Sequence, residues 1–332
     1  MGDAPRASKR RRLEAAWERR LLQRLILAGA PRALLRLIWG LSQAFGLENP
    51  QHVQAFETFS GHQAVTRGHR RRGLRAVSFE RNDHPAGSPQ GDWLSDVGFT
   101  HALSVDIQLC DGAQSTNAPV CSSWTWVGRS QTGRRSFLPL GDPRVPTVAE
   151  GNIMVSRMVL HLFVLEARGC WWILEQPMSS LLEEHPRFQQ FISSHVVWRY
   201  TLRMGAFGAE TAKPHWLYSN KPWVREIDFH CSRWWHPALA TAETTSFVLR
   251  EDLSRATTGN KGTLKDSQHY PRAFGDAVAA VHLAHEAELR AANAAADAAA
   301  SLLRVPKFEV AKQGEDPWED AELSSVDEFL RS

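Results

Sequence analysis

Cysteine is scarce in this 332-residue chain, and the few present stand apart. The four cysteines, Cys110, Cys121, Cys170 and Cys231, form no CxxC pair. That spacing argues against a zinc site and against a disulfide framework, and a reducing compartment fits it best. No metal is expected. Long apolar runs are missing too. No stretch of about 20 apolar residues occurs, so no membrane-spanning helix and no membrane partner are expected. The N-terminus lacks the pattern of a secretory signal, because basic residues at Lys9–Arg12 give way to alternating charged and apolar ones. A nuclear or cytoplasmic location is expected rather than secretion. No internal repeat is present.

The net charge of +3 hides an asymmetry between the ends. Residues 1–24 hold eight Lys/Arg against three Asp/Glu, and residues 305–332 hold three against eight. The arm from Arg6 to Arg12 suits phosphate contact or a nuclear address, and equally the solvated start of a helix. The acidic end, 305–332, has the composition of a disordered or loosely docked tail.

Between these ends, 43% hydrophobic residues suffice for one large α/β domain with extensions, or for two small ones. Leu13, Trp17, Leu21, Leu25 and Ile26 recur at helical spacing, as do Leu34, Leu35, Ile38 and Leu41, with a break at Gly29 and Pro31. Residues 1–50 thus read as a basic helical extension. From Ala55 the pattern changes to strand (Ala55–Phe59), glycine turn, helix (His62–Arg72) and strand (Arg75–Glu80). That is the opening of a doubly wound, mostly parallel Rossmann-like sheet. A helix over Thr147–Arg168, a buried strand at Trp171–Glu175, strands at Val196–Met204 and His215–Ser219, and one or two helices over Phe274–Leu303 complete an α/β domain spanning 51–304. The thirteen tryptophans specify no chemistry by number alone.

Three signals carry chemistry. The first is Phe59-Ser60-Gly61 followed by Glu80. A glycine after the first strand admits a ligand close to the backbone, and an acidic end of the second strand accepts from ribose hydroxyls. A surface carboxylate is the plainer reading of Glu80. The second is Cys121, set in Ala118–Trp124 before a loop carrying Gly128, Arg129, Gly133, Arg134 and Arg135. Basic neighbours favour a thiolate, whereas an inert buried thiol is the commoner case. The third is Glu175-Gln176-Pro177, directly after the apolar strand. A carboxyl there faces the ligand crevice, and partial burial suits it to give a proton to a ring nitrogen. A helix cap or an arginine partner is the alternative.

In this order the signals resemble the cytosine carbon-5 DNA methyltransferases, a branch of the class I S-adenosylmethionine-dependent family. Lys213-Pro214, ahead of the strand Trp216-Leu217-Tyr218-Ser219, and Tyr270–Val278 extend the likeness over roughly residues 55–285. The resemblance implies a class I methyltransferase fold and S-adenosyl-L-methionine held near Phe59, Ser60, Gly61, Glu80 and Asp276. It implies Cys121 as the nucleophile toward cytosine carbon 6 and Glu175 as the group that holds and protonates the base. It implies nucleic acid as partner, DNA before RNA, touched by Arg129, Arg134, Arg135 and Lys213. The target base would have to leave its stack.

The chain also departs from the family pattern. Val120 stands where a proline precedes the cysteine, and Gln63 replaces the second glycine. Glu210-Thr211-Ala212-Lys213 stands where a QxRxR stretch is expected. Ala113–Ala118, the strand that should lead to the cysteine, is poor in β-formers. The recognition insert shrinks to 213–259, with Trp223, Arg225, Arg233, Trp234 and Trp235 as its basic and aromatic residues. Two readings follow: an active methyltransferase, or a degenerate member that binds cofactor, nucleic acid or a partner without turnover.

Overall fold

The run Trp171-Trp172-Ile173-Leu174 is apolar at every position because both faces of its strand are covered. Trp172 and Leu174 enter one core with Phe56, Phe99, Met158 and Phe191, while Trp171 and Ile173 enter a second core with Val65, Leu217, Phe274 and Val278. This computed structural model describes residues 17–45, 52–211, 214–231, 241–249, 255–260, 262, 263 and 267–303. The basic arm, the acidic tail and Lys213 lie outside the described residues.

The strands are β1 (Val53–Thr58), β2 (Ala76–Phe79), β3 (Leu109–Asn117), β4 (Trp171–Pro177), β5 (Trp198–Arg203) and β6 (Pro214–Ser219). They form one mixed six-stranded sheet in the order β2-β1-β3-β4-β6-β5. The pairs from β2 to β4 are parallel, and β6 runs antiparallel to both β4 and β5. β6, the later of these strands in the chain, lies inside the sheet, and β5 lies at its edge. A separate antiparallel hairpin joins β7 (Thr245–Leu249) to β8 (Arg255–Gly259). The stretch read as a shrunken insert thus begins with a strand of the main sheet.

The first core holds α4 (Asp96–Ile107), α6 (Pro146–Ala167) and α7 (Pro186–Ser194), with the short α5 (Arg129–Thr132) between α4 and α6 in the chain, and the second holds α3 (Ala64–Arg71) and α8 (Arg272–Ala284). The helix over 17–27, here α1, and α2 (Arg32–Phe45) bury Leu21, Leu25, Leu34, Ile38 and Leu41 in the first core, so the extension packs onto the body. Helix α6 is long and apolar enough to cross a membrane by length and composition, and most of it is buried against the sheet. After α8, α9 (Glu286–Ala300) reaches the amino ends of β3 and β4.

The sequence of Ala113–Ala118 argues against a strand, yet β3 is central and Gln114, Ser115, Thr116 and Asn117 are fully buried. The residues bond one another at i, i+2 spacing along each face, and of their side-chain atoms Gln114 Oε1 is left without a partner among the described residues. Gln114 Nε2 donates to Thr116 Oγ1 at 2.7 Å, and Asn117 Nδ2 donates to Ser115 Oγ at 3.2 Å. Polar side chains persist in the middle of a sheet when their hydrogen bonds close on each other.

β1 leads through α3 to β2 on one side, while β3 leads through α6 to β4 on the other. The winding reverses between β1 and β3, so the loops leaving their carboxyl ends part there and open a crevice. Doubly wound sheets bind ligands at such a point.

Candidate active site

The turn after β1 is built from unusual backbone. Phe59, Gly61 and Gln63 all have positive φ, at 56°, 47° and 57°. Gly61 suits that conformation, and a Cβ there would meet only His269 Nδ1, at 3.6 Å. Phe59 accepts a strained backbone and sets its ring 5.0 Å from that of Trp93. Gly61 N–H donates to Glu80 Oε2 at 2.9 Å, so the two parts of the first signal meet. Ser60 Oγ is buried there without a protein partner. The ring of His62 stacks on that of His269, with centroids 3.5 Å apart and planes 3° from parallel.

Helix α3 starts without a side-chain cap from Gln63. Glu57 of β1 serves instead, accepting from Thr66 N–H at 2.7 Å and Val65 N–H at 3.3 Å. Burial pushes its carboxyl up to about 7, against the pull of these amides.

The third signal meets Tyr270, and the second lies on the neighbouring strand end. The Tyr270 hydroxyl donates to Glu175 Oε2 at 2.7 Å, and His215 Nδ1 contacts Glu175 Oε1. Burial raises the Tyr270 pKa well above its usual value, with Glu175, Glu57 and the Cys121 sulfur adding to the rise. Cys121 is half-buried in the turn after β3. That turn is held to β4 by Gln176 Nε2, which donates to Pro119 O at 2.7 Å, and by Leu181 N–H, which donates to Trp124 O at 2.9 Å.

The residues expected to touch substrate or cofactor fare unequally. Arg134 is a correction. Its side chain is fully buried, with the guanidinium 3.4 Å over the Trp124 ring. Nη1 donates to Pro139 O and Asn152 Oδ1, and Nη2 to Ser123 Oγ and Val148 O. It braces the loop and has no face to offer a phosphate. Arg135 is exposed and Arg129 half-buried on the same loop, beside the exposed side chains of Trp126, Phe137 and Leu138. The hairpin strand β8 lies against the Trp126–Gly128 turn. Asp276 is a second correction. It is bound by Arg71 at 2.8 Å and Arg72 at 3.1 Å, with Arg272 at 3.6 Å, and these pairs fasten α8 to the far end of α3. Its carboxylate is committed to that clamp rather than to a cofactor.

A buried network below the crevice escaped the sequence reading. His161 Nδ1 lies 2.5 Å from Asp106 Oδ2, and His161 Nε2 lies 2.8 Å from Asn117 Oδ1. Thr58 Oγ1 donates to the same Asn117 oxygen at 2.7 Å. The carboxyl ends of β1 and β3 are thereby fastened together. The available signal was His161 itself, the one polar residue in the run Met158–Leu165.

No protein-family model, no curated protein and no solved structure matches this chain.

Proposed function

We propose that this chain is an S-adenosylmethionine-dependent methyltransferase-like protein acting on cytosine carbon 5 in DNA, with Cys121 as nucleophile and Glu175 as proton donor. The observation that carries the reading is that Cys121 follows β3 and Glu175 ends β4, adjacent parallel strands whose carboxyl ends Gln176 ties together through Pro119 O, beside the point where the winding reverses. The reversed strand β6, set between two strands of the opposite sense, also agrees with a class I methyltransferase sheet.

The glycine turn fits the cofactor. Ser60 Oγ is a buried polar atom without a protein partner, Gly61 leaves room at the backbone, and Glu80 brings a carboxylate to the same spot. Phe59 and Trp93 supply an aromatic wall. The cofactor supplies an electrophilic methyl group. On the protein side, the Cys121 thiolate would bond to ring carbon 6 while Glu175 gives a proton to ring nitrogen 3. Carbon 5 becomes nucleophilic enough to take the methyl group; its own proton then passes to solvent water, the sulfur leaves as thiolate, and ring nitrogen 3 returns its proton to Glu175. Arg129, Arg135 and the exposed Trp126 flank the turn that carries Cys121, a surface suited to phosphates and unstacked bases.

A second reading rests on one observation. Both Glu175 oxygens already have protein partners, Tyr270 and His215, so the fold could serve binding without turnover. The two readings separate by trapping. An oligonucleotide carrying 5-fluorocytosine, with S-adenosylmethionine, should give a covalent adduct that mass spectrometry maps to Cys121. Cys121→Ser should abolish it and leave cofactor binding intact. Cofactor binding without adduct or methylation across DNA and RNA substrates would favour the second reading.

A further inference from the structure

The loop after Cys121 carries apolar side chains that the fold does not cover. Phe137 is 86% exposed, and Trp126, Leu138 and Leu140 are exposed with it. Arg135 N–H donates to Leu138 O at 3.1 Å, and Leu138 N–H donates back to Arg135 O at 3.0 Å, closing a tight turn with Phe137 at its tip. Buried Arg134 braces the base of that turn through Pro139 O and Asn152 Oδ1. Arg135 Nη1 donates to Arg129 O at 3.1 Å, so the turn is tied to the segment that follows Trp126. A braced turn that holds a phenylalanine ring in water forgoes the stabilisation of burying it unless something covers the ring.

The chemistry of the patch selects its occupant. Leu138 and Leu140 are aliphatic and offer no stacking face, so they match the apolar side chains of a peptide better than the bases of a nucleic acid. Arg129 and Arg135 add positive charge, and the backbone carbonyls that Arg135 meets leave its charge unmatched. Such a surface fits an acidic peptide with apolar anchors. Residues 305–332 of this chain have that composition, three Lys/Arg against eight Asp/Glu, with Trp318 set between Asp316 and Glu319-Asp320. This segment lies outside the described residues, which end at Leu303, just past α9 at the amino ends of β3 and β4. The loop lies at the opposite ends of these strands, roughly 30 Å away along the nine residues of β3. Residues 304–332 span up to roughly 95 Å when extended, so the loop is within reach.

We propose that Trp126 and the turn Arg135–Leu138 form a docking surface for the acidic segment 305–332 of the same chain, with Trp318 against Phe137 and the flanking carboxylates toward Arg129 and Arg135. The docking itself does not depend on the methyltransferase reading. Its consequence rests on that reading: Arg129 and Arg135 are the residues offered to phosphates, so the docked segment and DNA compete for one surface. The apparent affinity for DNA is then reduced in proportion to the undocked fraction of chains.

The test uses the full chain carrying Phe137→benzoylphenylalanine, a photo-reactive group at a position already in water, and repeats it with Leu138→benzoylphenylalanine. Isotope-labelled and unlabelled protein are mixed and irradiated without ligand. Mass spectrometry should map the adduct to 305–332 within one copy. Trp318→Ala should lower the adduct yield about threefold or more by removing the aromatic anchor. Asp316→Asn, Glu319→Gln and Asp320→Asn made together should lower it by about the same factor. No adduct at either position, or an adduct to the basic arm, to another segment or to a second copy, overturns the docking. Competition is read by fluorescence anisotropy with a short DNA duplex at low salt. Trp318→Ala changes no charge, and it should tighten DNA binding by about threefold or more. Unchanged affinity in a chain that binds DNA overturns the competition. An adduct to 305–332 in a chain that binds no DNA upholds the docking and overturns the proposed function.

Discussion

His161 Nε2 donates to Asn117 Oδ1 across 2.8 Å, fastening the middle of α6 to the last residue of the central strand. The direction of that bond follows from the rest of the network. Asn117 Nδ2 donates to Ile173 O at 3.1 Å, so the oxygen must face His161 and accept. On its other side, His161 Nδ1 lies 2.5 Å from Asp106 Oδ2, and burial pushes the Asp106 carboxyl up to about 6. His161→Ala would strip Asp106 of its partner in a dry core and remove one donor to Asn117 Oδ1, which keeps Thr58 Oγ1. The expected loss is about 3–5 kcal/mol, as for other broken buried pairs. Urea unfolding monitored by tryptophan fluorescence measures it, and a loss under about 1 kcal/mol would show that the network has little energetic weight.

Arg134 and Arg135 are neighbours with opposite duties. Arg134→Ala should cost about 2–4 kcal/mol of stability, because four hydrogen bonds and the stack on Trp124 disappear together. Its folded fraction should bind DNA as before. Arg135→Ala should leave unfolding unchanged and lower the slope of binding against salt by about one phosphate contact. Paired melting and salt-titration experiments decide it, and a reversed assignment would restore Arg134 as a substrate residue.

The alternation of strand and helix was legible in the sequence where apolar period and turn signals agreed, as in Ala55–Glu80 and Trp171–Glu175. β3 was not, because its buried side chains are polar and bond one another rather than a solvent face. Of the site, Gly61, Glu80, Cys121 and Glu175 could be singled out because each sits at a strand end or turn. Arg134 and Asp276 have protein partners that the sequence could not show, since it gives a charge but not what the charge meets. His161 and His215 were passed over as functional because a lone histidine in an apolar stretch says nothing of which carboxylate it meets.

Glu80 offers the cleanest test of the proposed cofactor site. It bonds Gly61 N–H and the Asn82 backbone and side chain, so its carboxylate is held in place before any ligand arrives. Glu80→Ala should weaken S-adenosylmethionine binding by about 1.5–3 kcal/mol through loss of a charged acceptor. Isothermal calorimetry reads this directly. Unchanged affinity would remove the glycine turn from the cofactor site.

Glu57 should make stability depend on pH. Its folded carboxyl titrates at about 7 against an ordinary 4.5, so the folded state binds the proton more tightly than the unfolded chain. The stabilisation from that proton is complete below about pH 4.5 and is lost as pH rises through 7. Glu57→Gln removes the linkage. The unfolding free energy of the native chain minus that of the variant should fall by roughly 3 kcal/mol at most between these limits. Urea titrations at several pH values supply the curve, and a difference that is flat with pH would mean that Glu57 ionises as in water.

The closest backbone approach between helices tests how far the site depends on packing. A Cβ on Gly275 would lie 2.0 Å from Ala64 O and 2.9 Å from Val65 N, and one on Gly68 would lie 2.3 Å from Gly275 O. Every atom met is backbone, so no side chain can swing aside. Gly275→Ala must therefore push α8 away from α3. Ala64 opens α3 just after the glycine turn, and Tyr270 lies just ahead of α8, so one methyl group disturbs both halves of the site. The expected cost is about 1–3 kcal/mol or more, as for other overpacked contacts. Cofactor affinity should fall with it even at temperatures where the variant remains folded. Gly262→Ala is the control: its added methyl group would meet nothing nearer than Asn260 Oδ1 at 3.9 Å, and it should be neutral within about 0.5 kcal/mol. Thermal melts and calorimetry on the two variants decide the matter. Equal stability and equal affinity would show that the α3–α8 contact has slack, and that the glycine turn and Tyr270 are positioned independently of it.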